Sequence, residues 1–294
     1  MAKYEWSEVF MSIEGEGPYA GTPTSYIRFT KCNFQCQGFN NPSKLDTTDI
    51  QVIGFDPKAY TRLQDIPPIT RGCDSIYSWD PKFSHMWHTG DETELLTSLI
   101  DTLPNKSFIL PSGQRVILSI TGGEPTLRAK FFPALLQSPL LQDCRHILLE
   151  TNCAVPIQAS FIQTIADWIE RYNGRWTFSN SPKLSASGEA WKDAIRPEIA
   201  LKQFELVQSH PNNADMYFKF VCDDTDESFA EVKRAMAEYE AHGIVGVKVY
   251  IMPMACQEED QQKIAMGVAN RCVQEGYIYC HRVHLSTFGN TVGT

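Results

Sequence analysis

From residue 115 onward the sequence alternates between strand-like and helix-like runs, and this alternation limits the possible folds more than any other feature. Apolar, β-branched runs "RVILSIT", "HILLETN", "RWTFSNS", "DMYFKFV", "VGVKVYIMP" and "YIYCHRVHL" begin near residues 115, 146, 175, 215, 245 and 277. Helical patterns lie between several of them, clearest at 157–172, 227–243 and 258–276. The last two carry apolar residues at three- and four-residue spacing, each followed by a glycine suited to a helix C-terminus. Such alternation implies an α/β fold with a mostly parallel sheet and right-handed crossovers. Adding "TSYIRFT" (24–30) gives about six or seven parallel strands, too few for a closed eight-stranded barrel of about 250 residues. A partial, open βα barrel is therefore expected, with a doubly wound sheet as the alternative.

The 294 residues suffice for one large domain or two small ones, and a chain this long buries about 75% of its unfolded surface without needing a disulfide or metal. With 26 basic and 35 acidic residues the net charge is −9, and no basic run interrupts the sequence. Phosphate binding needs clustered Lys and Arg, so no direct nucleic-acid or anionic-membrane partner is expected. The opening "MAKYEWSEVF" lacks the pattern of a secretory signal, and no apolar run approaches the roughly 18 residues of a membrane span. Nine cysteines without short regular spacing point to a reducing, cytoplasmic setting. Six of them (Cys144, Cys153, Cys222, Cys256, Cys272 and Cys280) stand apart from one another and read as core residues.

Residues 37–72 break the alternation. This stretch is rich in Pro, Asn, Asp and Thr and reads as a loop or small subdomain inserted into a single domain spanning 1–294. Long connections of this kind usually border a site. Polar and glycine residues also collect where the expected strands end, at Thr121-Gly122-Gly123-Glu124-Pro125, Glu150-Thr151-Asn152, Ser179-Asn180-Ser181-Pro182-Lys183 and Met252-Pro253. Ligands bind at that edge in parallel α/β folds. "GGEP" is equally compatible with a plain turn into a helix and with a backbone laid open to a ligand. Cys32 and Cys36 form a C-x-x-x-C pair after an apolar strand, as in an iron–sulfur site, yet Phe39 stands where a third thiolate is due.

The N-terminal block "FMSIEGEGPYAGTPTSYIRFTKCNFQC" resembles the opening of radical S-adenosylmethionine (SAM) enzymes, and within them the 7-carboxy-7-deazaguanine synthase family. That family carries Ser-Ile-Gln-Gly-Glu-Gly, then Gly-x-Pro, then an Arg four residues before the first cluster cysteine. Ser12-Ile13-Glu14-Gly15-Glu16-Gly17, Gly21-Thr22-Pro23 and Arg28 stand in those places. The family's last cysteine precedes Asp-Thr and Tyr-x-Trp, a tail found here as Cys73-Asp74-Ser75-Ile76-Tyr77-Ser78-Trp79. The resemblance thus implies that Cys32, Cys36 and Cys73 hold a [4Fe–4S] cluster, with the third ligand displaced by the insertion. Lengthening the connection costs little, about 0.6 kcal/mol for each doubling of a flexible loop.

Carried over residue by residue, the resemblance gives Gly122, Gly123 and Glu124 the methionine end of SAM. Ser181 and Lys183 fall on its ribose and carboxylate side. Glu16, Arg28, Glu150 and His284 fall on a pterin substrate, with Arg28 facing the substrate carboxylate. Ser75 stands for the family's Mg²⁺-binding Thr, and the C-terminus, Thr294 with its carboxylate, would fold back to the site. The implied reaction converts 6-carboxy-5,6,7,8-tetrahydropterin to 7-carboxy-7-deazaguanine with loss of ammonia. Its electrons come from a flavodoxin-like or other donor, and the enzyme is a homodimer. Two departures stand out: Glu14 in place of Gln, and the insertion. Three alternatives remain beside this reading. They are a zinc site completed by His85 or His88, a radical SAM enzyme with another substrate such as a glycyl-radical activase, and a non-catalytic protein-binding relative.

Overall fold

The computed structural model describes residues 3–41, 43, 45–47 and 49–294; Pro42, Lys44 and Thr48 of the inserted stretch lie outside the described residues. Among the described residues nine strands form one sheet: β1 (Tyr4–Ile13), β2 (Pro23–Phe29), β3 (His88–Gly90), β4 (Ile117–Gly122), β5 (His146–Thr151), β6 (Arg175–Asn180), β7 (Ala214–Cys222), β8 (Lys248–Pro253) and β9 (Ile278–Tyr279). Their order is β3-β1-β2-β4-β5-β6-β7-β8-β9, an open series whose two ends do not pair with each other. From β2 to β9 every neighbouring pair is parallel. The seven parallel strands match the runs read from the sequence, and the sheet stays open as expected.

Two strands were not anticipated. β1 and β3 add an antiparallel edge, with β1 lying between β2 and β3. "YEWSEVFMSI" hides its strand character because Ser7 and Glu8 are both buried, which breaks the apolar–polar alternation. The register also shifts between Trp6 and Glu8 where β1 pairs with β2. The expected final strand is cut to two residues, because the chain turns back after Tyr279 toward the N-terminal block.

Period-two alternation assigns the two faces of the sheet different work. Leu118, Ile120, Ile147, Leu149, Trp176, Phe178, Met216, Phe218, Phe220, Val249 and Ile251 point to one side. There they meet Phe161, Ile165 and Ile169 of the helix Ala159–Tyr172, and Phe229, Val232 and Ala235 of the helix Asp226–Ala241. Each such large side chain contributes about 1.5–3 kcal/mol by leaving water. The intervening positions Ser119, Thr121, Glu150, Thr177, Ser179 and Lys219 point to the other, concave side. A two-layer core needs only one apolar face, so these polar side chains are free to build a site.

The inserted stretch folds into short turns of helix at Ile50–Ile53, Pro57–Ala59 and Leu63–Asp65. Phe55, Leu63, Ile66 and Ile69 form a small core of their own together with Ile76, Tyr77, Phe83 and Met86 from the segment that follows. Its two ends meet: Gly72 N donates to Phe39 O at 2.7 Å. The helix Glu258–Glu275 ends on Gly276, whose φ of 78° is the left-handed cap expected of glycine.

At the ligand edge, Gly123 N donates to Phe29 O at 3.1 Å and Glu124 N to Lys31 O at 2.9 Å. A Cβ on Gly123 would run into the Lys31 carbonyl and lie 2.9 Å from Cys32 Cβ. The Gly123→Ala protein should therefore lose about 1–3 kcal/mol of stability, the usual cost of overpacking, read as a lowered thermal midpoint. An unchanged midpoint would show that the cysteine loop yields freely.

Candidate active site

Three segments close one cavity on the concave face, at the C-terminal ends of the parallel strands. The first is the turn Glu14–Gly17 that follows β1. It is fixed across the hairpin by Glu14 N donating to Thr22 O (2.7 Å) and Gly21 N to Glu14 O (2.8 Å). A side chain on Gly15 would collide with the His284 imidazole, so glycine is required where the tail returns. The second is the loop after β2, where Lys31 and Cys36 adopt φ of 74° and 50°. Glu189 holds that loop by accepting from Gln35 N (2.8 Å) and Cys36 N (2.7 Å). The third is the segment after β9, whose Val283 N donates to Gly15 O at 2.9 Å.

Cys32, Cys36 and Cys73 all line this cavity. Because Gly72 is bonded to Phe39, the 36 residues between Cys36 and Cys73 leave and return at one place, and Cys73 arrives beside the Cys32–Cys36 loop. Among the described residues no three His, Cys, Asp or Glu side chains converge as one metal ion requires. A zinc ion draws its thiolates to about 2.3 Å from a single centre, whereas a four-iron cluster takes them at separate corners. Three thiols along one cavity wall are compatible with the corners of such a cluster. His85 and His88 lie elsewhere: the His85 ring meets Tyr60 O at 3.0 Å and His88 stacks on Trp6. Burial pushes the Cys32 thiol up to about 12 and raises those of Cys36 and Cys73. All three sit in an apolar shell with Phe34, Phe39, Ala154 and Ala194.

Beside the thiols the cavity wall includes Gly122, Gly123, Ser181 and Lys183. Lys183 Nζ donates to Ser181 Oγ at 3.2 Å, and Ser181 N to Thr151 O at 2.8 Å. Glu124 stands apart from them. Fully buried, its carboxylate accepts from Thr126 N (3.0 Å), Thr151 Oγ1 (2.7 Å) and Asn152 N (2.7 Å), with the Thr126 hydroxyl also bonded to it. It ties β4 to β5 and does not line the cavity.

Glu16, Arg28, Glu150, His284 and Ser75 form the remaining wall. Arg28 sits between the Phe10 and Tyr77 rings, with Nε on Glu8 Oε1 at 2.7 Å and Nη1 reaching Ser75 Oγ at 3.4 Å. Thr121 Oγ1 meets Glu150 Oε2 at 3.4 Å. Burial and the adjacent Arg282 push the His284 imidazole down to about 4, so it is neutral near pH 7. Thr294 also faces this cavity.

Several groups in this wall escaped the sequence reading. Lys219 Nζ bonds Glu16 Oε2 at 2.6 Å; Arg282 Nε bonds Glu16 Oε1 at 2.9 Å, and its Nη2 bonds Asp74 Oδ2 at 2.6 Å. Burial opposes the charge on Glu16, but Lys219 and then Arg282 outweigh it and hold the carboxyl well below the usual range. Glu14 goes the other way: burial, then the Glu150 charge, raise its carboxyl well above that range. It accepts from Glu16 N at 3.2 Å and from Tyr26 OH at 3.2 Å. Lys219 left a trace in the sequence, as a cation inside the apolar run "MYFKFV". Arg282 left one too, inside the run "YIYCHRVHL".

The likeness to known proteins runs along nearly the whole chain. No family model matches it. The 7-carboxy-7-deazaguanine synthase of Rhodopirellula baltica is 27% identical over 299 residues, covering 98% of this chain and 88% of its own. That of Methanopyrus kandleri is 24% identical over 257 residues, covering 87% and 83%. The chain is a relative of the 7-carboxy-7-deazaguanine synthases. Among solved structures, QueE from Escherichia coli shares the fold with a TM-score of 0.54 at 14% identity, over 96% of this chain and 95% of that one. This relation to the synthases supports an enzyme of the radical SAM lyase type, in keeping with the sequence motifs.

Two outcomes follow from the buried charges. Lys219→Met leaves Glu16 short of a partner, and removing one side of a buried pair costs about 3–5 kcal/mol. Urea unfolding should show a loss on that scale, and a loss below about 1 kcal/mol would mean that the pair is not buried in solution. Glu14 keeps its proton in the folded protein after the unfolded chain has lost it, so the unfolded state binds fewer protons and stability falls as pH rises. The fall starts near the ordinary Glu value of about 4.3 and ends above the raised native one. Glu14→Gln lacks this loss, so its thermal midpoint should gain on the parent's from pH 4 toward pH 8. A pH-independent difference would contradict a protonated Glu14.

Proposed function

We propose that this chain is a radical SAM lyase that converts 6-carboxy-5,6,7,8-tetrahydropterin to 7-carboxy-7-deazaguanine with release of ammonia. The observation that carries the reading is the arrival of Cys73 beside Cys32 and Cys36, in the cavity that Glu16, Arg28, Glu150 and His284 also line. Three thiolates leave one iron of a [4Fe–4S] cluster open, and the cluster with SAM supplies, when bound, the one-electron chemistry that removes a hydrogen atom from the substrate.

The protein's own residues then bind, orient and exclude water. Gly122 and Gly123 bring bare backbone to the cavity wall next to the cysteine loop, and Lys183 with Ser181 offers a cation and a hydroxyl to the carboxylate and ribose of SAM. Arg28, held by Glu8 and by two aromatic rings, presents the rest of its guanidinium to the substrate carboxylate, a geometry that favours paired hydrogen bonds. Ionised Glu16 and the Glu150 side chain accept from the N–H groups of the pterin, and neutral His284 can either donate or accept there. Ser75 Oγ lies 3.2 Å from Asp74 Oδ1. Together they offer hard oxygens to a Mg²⁺ ion that keeps most of its waters. Protonated Glu14 can donate where an ionised carboxylate could only accept, so it can fill the role of the family's Gln.

The wider setting belongs to the same proposal: a cytoplasmic homodimer served by a flavodoxin-like or other electron donor, its product entering 7-deazapurine modification of tRNA or DNA. The deciding test is anaerobic reconstitution with iron and sulfide, then incubation with SAM, reductant, Mg²⁺ and the carboxytetrahydropterin. The deazaguanine product is expected. Deoxyadenosine without that product would point to a radical SAM enzyme with another substrate, and no deoxyadenosine would remove both readings. Cys73→Ala should lose the visible absorption of the cluster and most of its bound iron. A variant that reconstitutes like the parent would refute Cys73 as a ligand.

A further inference from the structure

The C-terminal tail reaches the cavity, and the inserted stretch touches it on the way. Asn290 Nδ2 donates to Ile69 O at 2.9 Å. Val292 packs on the small core of Phe55, Leu63, Ile66 and Ile69, which the insertion provides together with the segment 76–86. A Cβ on Gly293 would meet Glu8 Oε2 at 3.8 Å and Gln64 at 4.0 Å, so the tail passes between the insertion and the carboxylate that anchors Arg28. That Oε2 is buried and has no hydrogen-bond partner among the described residues. Thr294 then joins the cavity wall near Arg28 and Ser75. The insertion is braced against the β8 end as well, where Asn40 Nδ2 bonds Cys256 Sγ at 3.1 Å.

We propose that the 37–72 insertion is the seat of the C-terminal tail. By gripping Asn290 and Val292 it holds residues 290–294 across the Arg28–Ser75 end of the cavity, and so sets how firmly a carboxylated ligand is retained there. The physical case is entropic. A segment with little internal structure stays ordered only where other parts of the molecule tie it down. Fixing each residue costs about 1–2 kcal/mol. The tail's own bonds, Thr291 Oγ1 to Phe288 O (2.9 Å) and Thr294 Oγ1 to Thr291 O (2.6 Å), only shape it. Among the described residues its attachments at this point include the Ile69 carbonyl and the apolar patch under Val292. Asn290 and Val292 are thus positioning residues, since they act through the tail and not on the ligand. Only the identity of the ligand rests on the function proposed above, because the seating itself involves protein groups alone.

The test uses the full-length, cluster-loaded protein with Asn290→Ala, Val292→Asp and Val292→Ile. Hydrogen exchange of peptides covering 285–294 should quicken at least tenfold in the first two and stay at the parental rate in Val292→Ile. Exchange in the helix Asp226–Ala241 should not change. With substrate, the KM for the carboxytetrahydropterin should rise about tenfold in Asn290→Ala and Val292→Asp, while iron content and the KM for SAM hold. Phe55→Ala, made from the insertion side, should release the same tail peptides. Unaltered tail exchange in both Val292→Asp and Phe55→Ala would overturn the proposal, as would a KM for SAM that rises in step with that for the pterin. If the parent forms no deazaguanine, the function proposed above fails, and the exchange measurements still decide the seating.

Discussion

A partly buried run of charges holds this molecule together where hydrogen-bonded strands do not. Lys219 of β7, Glu16 after β1, Arg282 after β9 and Asp74 beside the third cysteine alternate in sign along one line of contacts, at 2.6, 2.9 and 2.6 Å. The sheet is open, and its last strand pairs with neither β1 nor β3. The gap is bridged by side chains, by one main-chain bond from Val283 N to Gly15 O, and by Gly17 N donating to Cys280 Sγ. Charges this deep are tolerable only with partners. Each in this line has one, and all four segments must be in place for the whole line to be satisfied.

The same run explains how an insertion of this length can sit between the second and third cysteines of the cavity wall. Asp74 follows Cys73 directly, and its ion pair with Arg282 fixes that residue against the barrel. Gly72 to Phe39 fixes it against the cysteine loop. Between those two anchors the length of the excursion matters little, since loop closure grows only with the logarithm of its length. The insertion moreover pairs its own Phe55, Leu63, Ile66 and Ile69 with Ile76, Tyr77, Phe83 and Met86, so it stabilises the segment that delivers Cys73.

Much of the parallel sheet was legible because its apolar faces repeat with a fixed period: Ile120, Leu149, Phe178, Phe218 and Ile251 recur in runs that end in glycine or polar residues. β1 was not legible, because Ser7 and Glu8 are buried in succession and mask its alternation. The glycines of GGEP were expected to clear space for a ligand. The structure adds a second demand, since the Lys31 carbonyl and Cys32 crowd the place where a Cβ of Gly123 would stand. Glu124 showed in the sequence as a polar group at a strand end, a description that cannot tell a cavity wall from the joint between two strands. Lys219 and Arg282 were visible only as cations inside strand-like runs, because the partners that justify such charges are far away in the chain.

The division of labour between the faces of the sheet has a consequence for chemistry. The helix-covered face contributes stability through area removed from water, so the concave face is free to carry Thr121, Glu150, Ser179 and Lys219. In a low-dielectric recess each charge there acts on the others strongly. That is why neighbouring carboxyls part company: Glu16 is driven to ionise by two cations, while Glu14, beside Glu16 and Glu150, is driven to keep its proton. An acceptor and a donor, two residues apart on one turn, thus arise from a single residue type. Gln at position 14 would supply the donor without any such tuning; here the fold supplies it by placing a third acid where the cations are already taken.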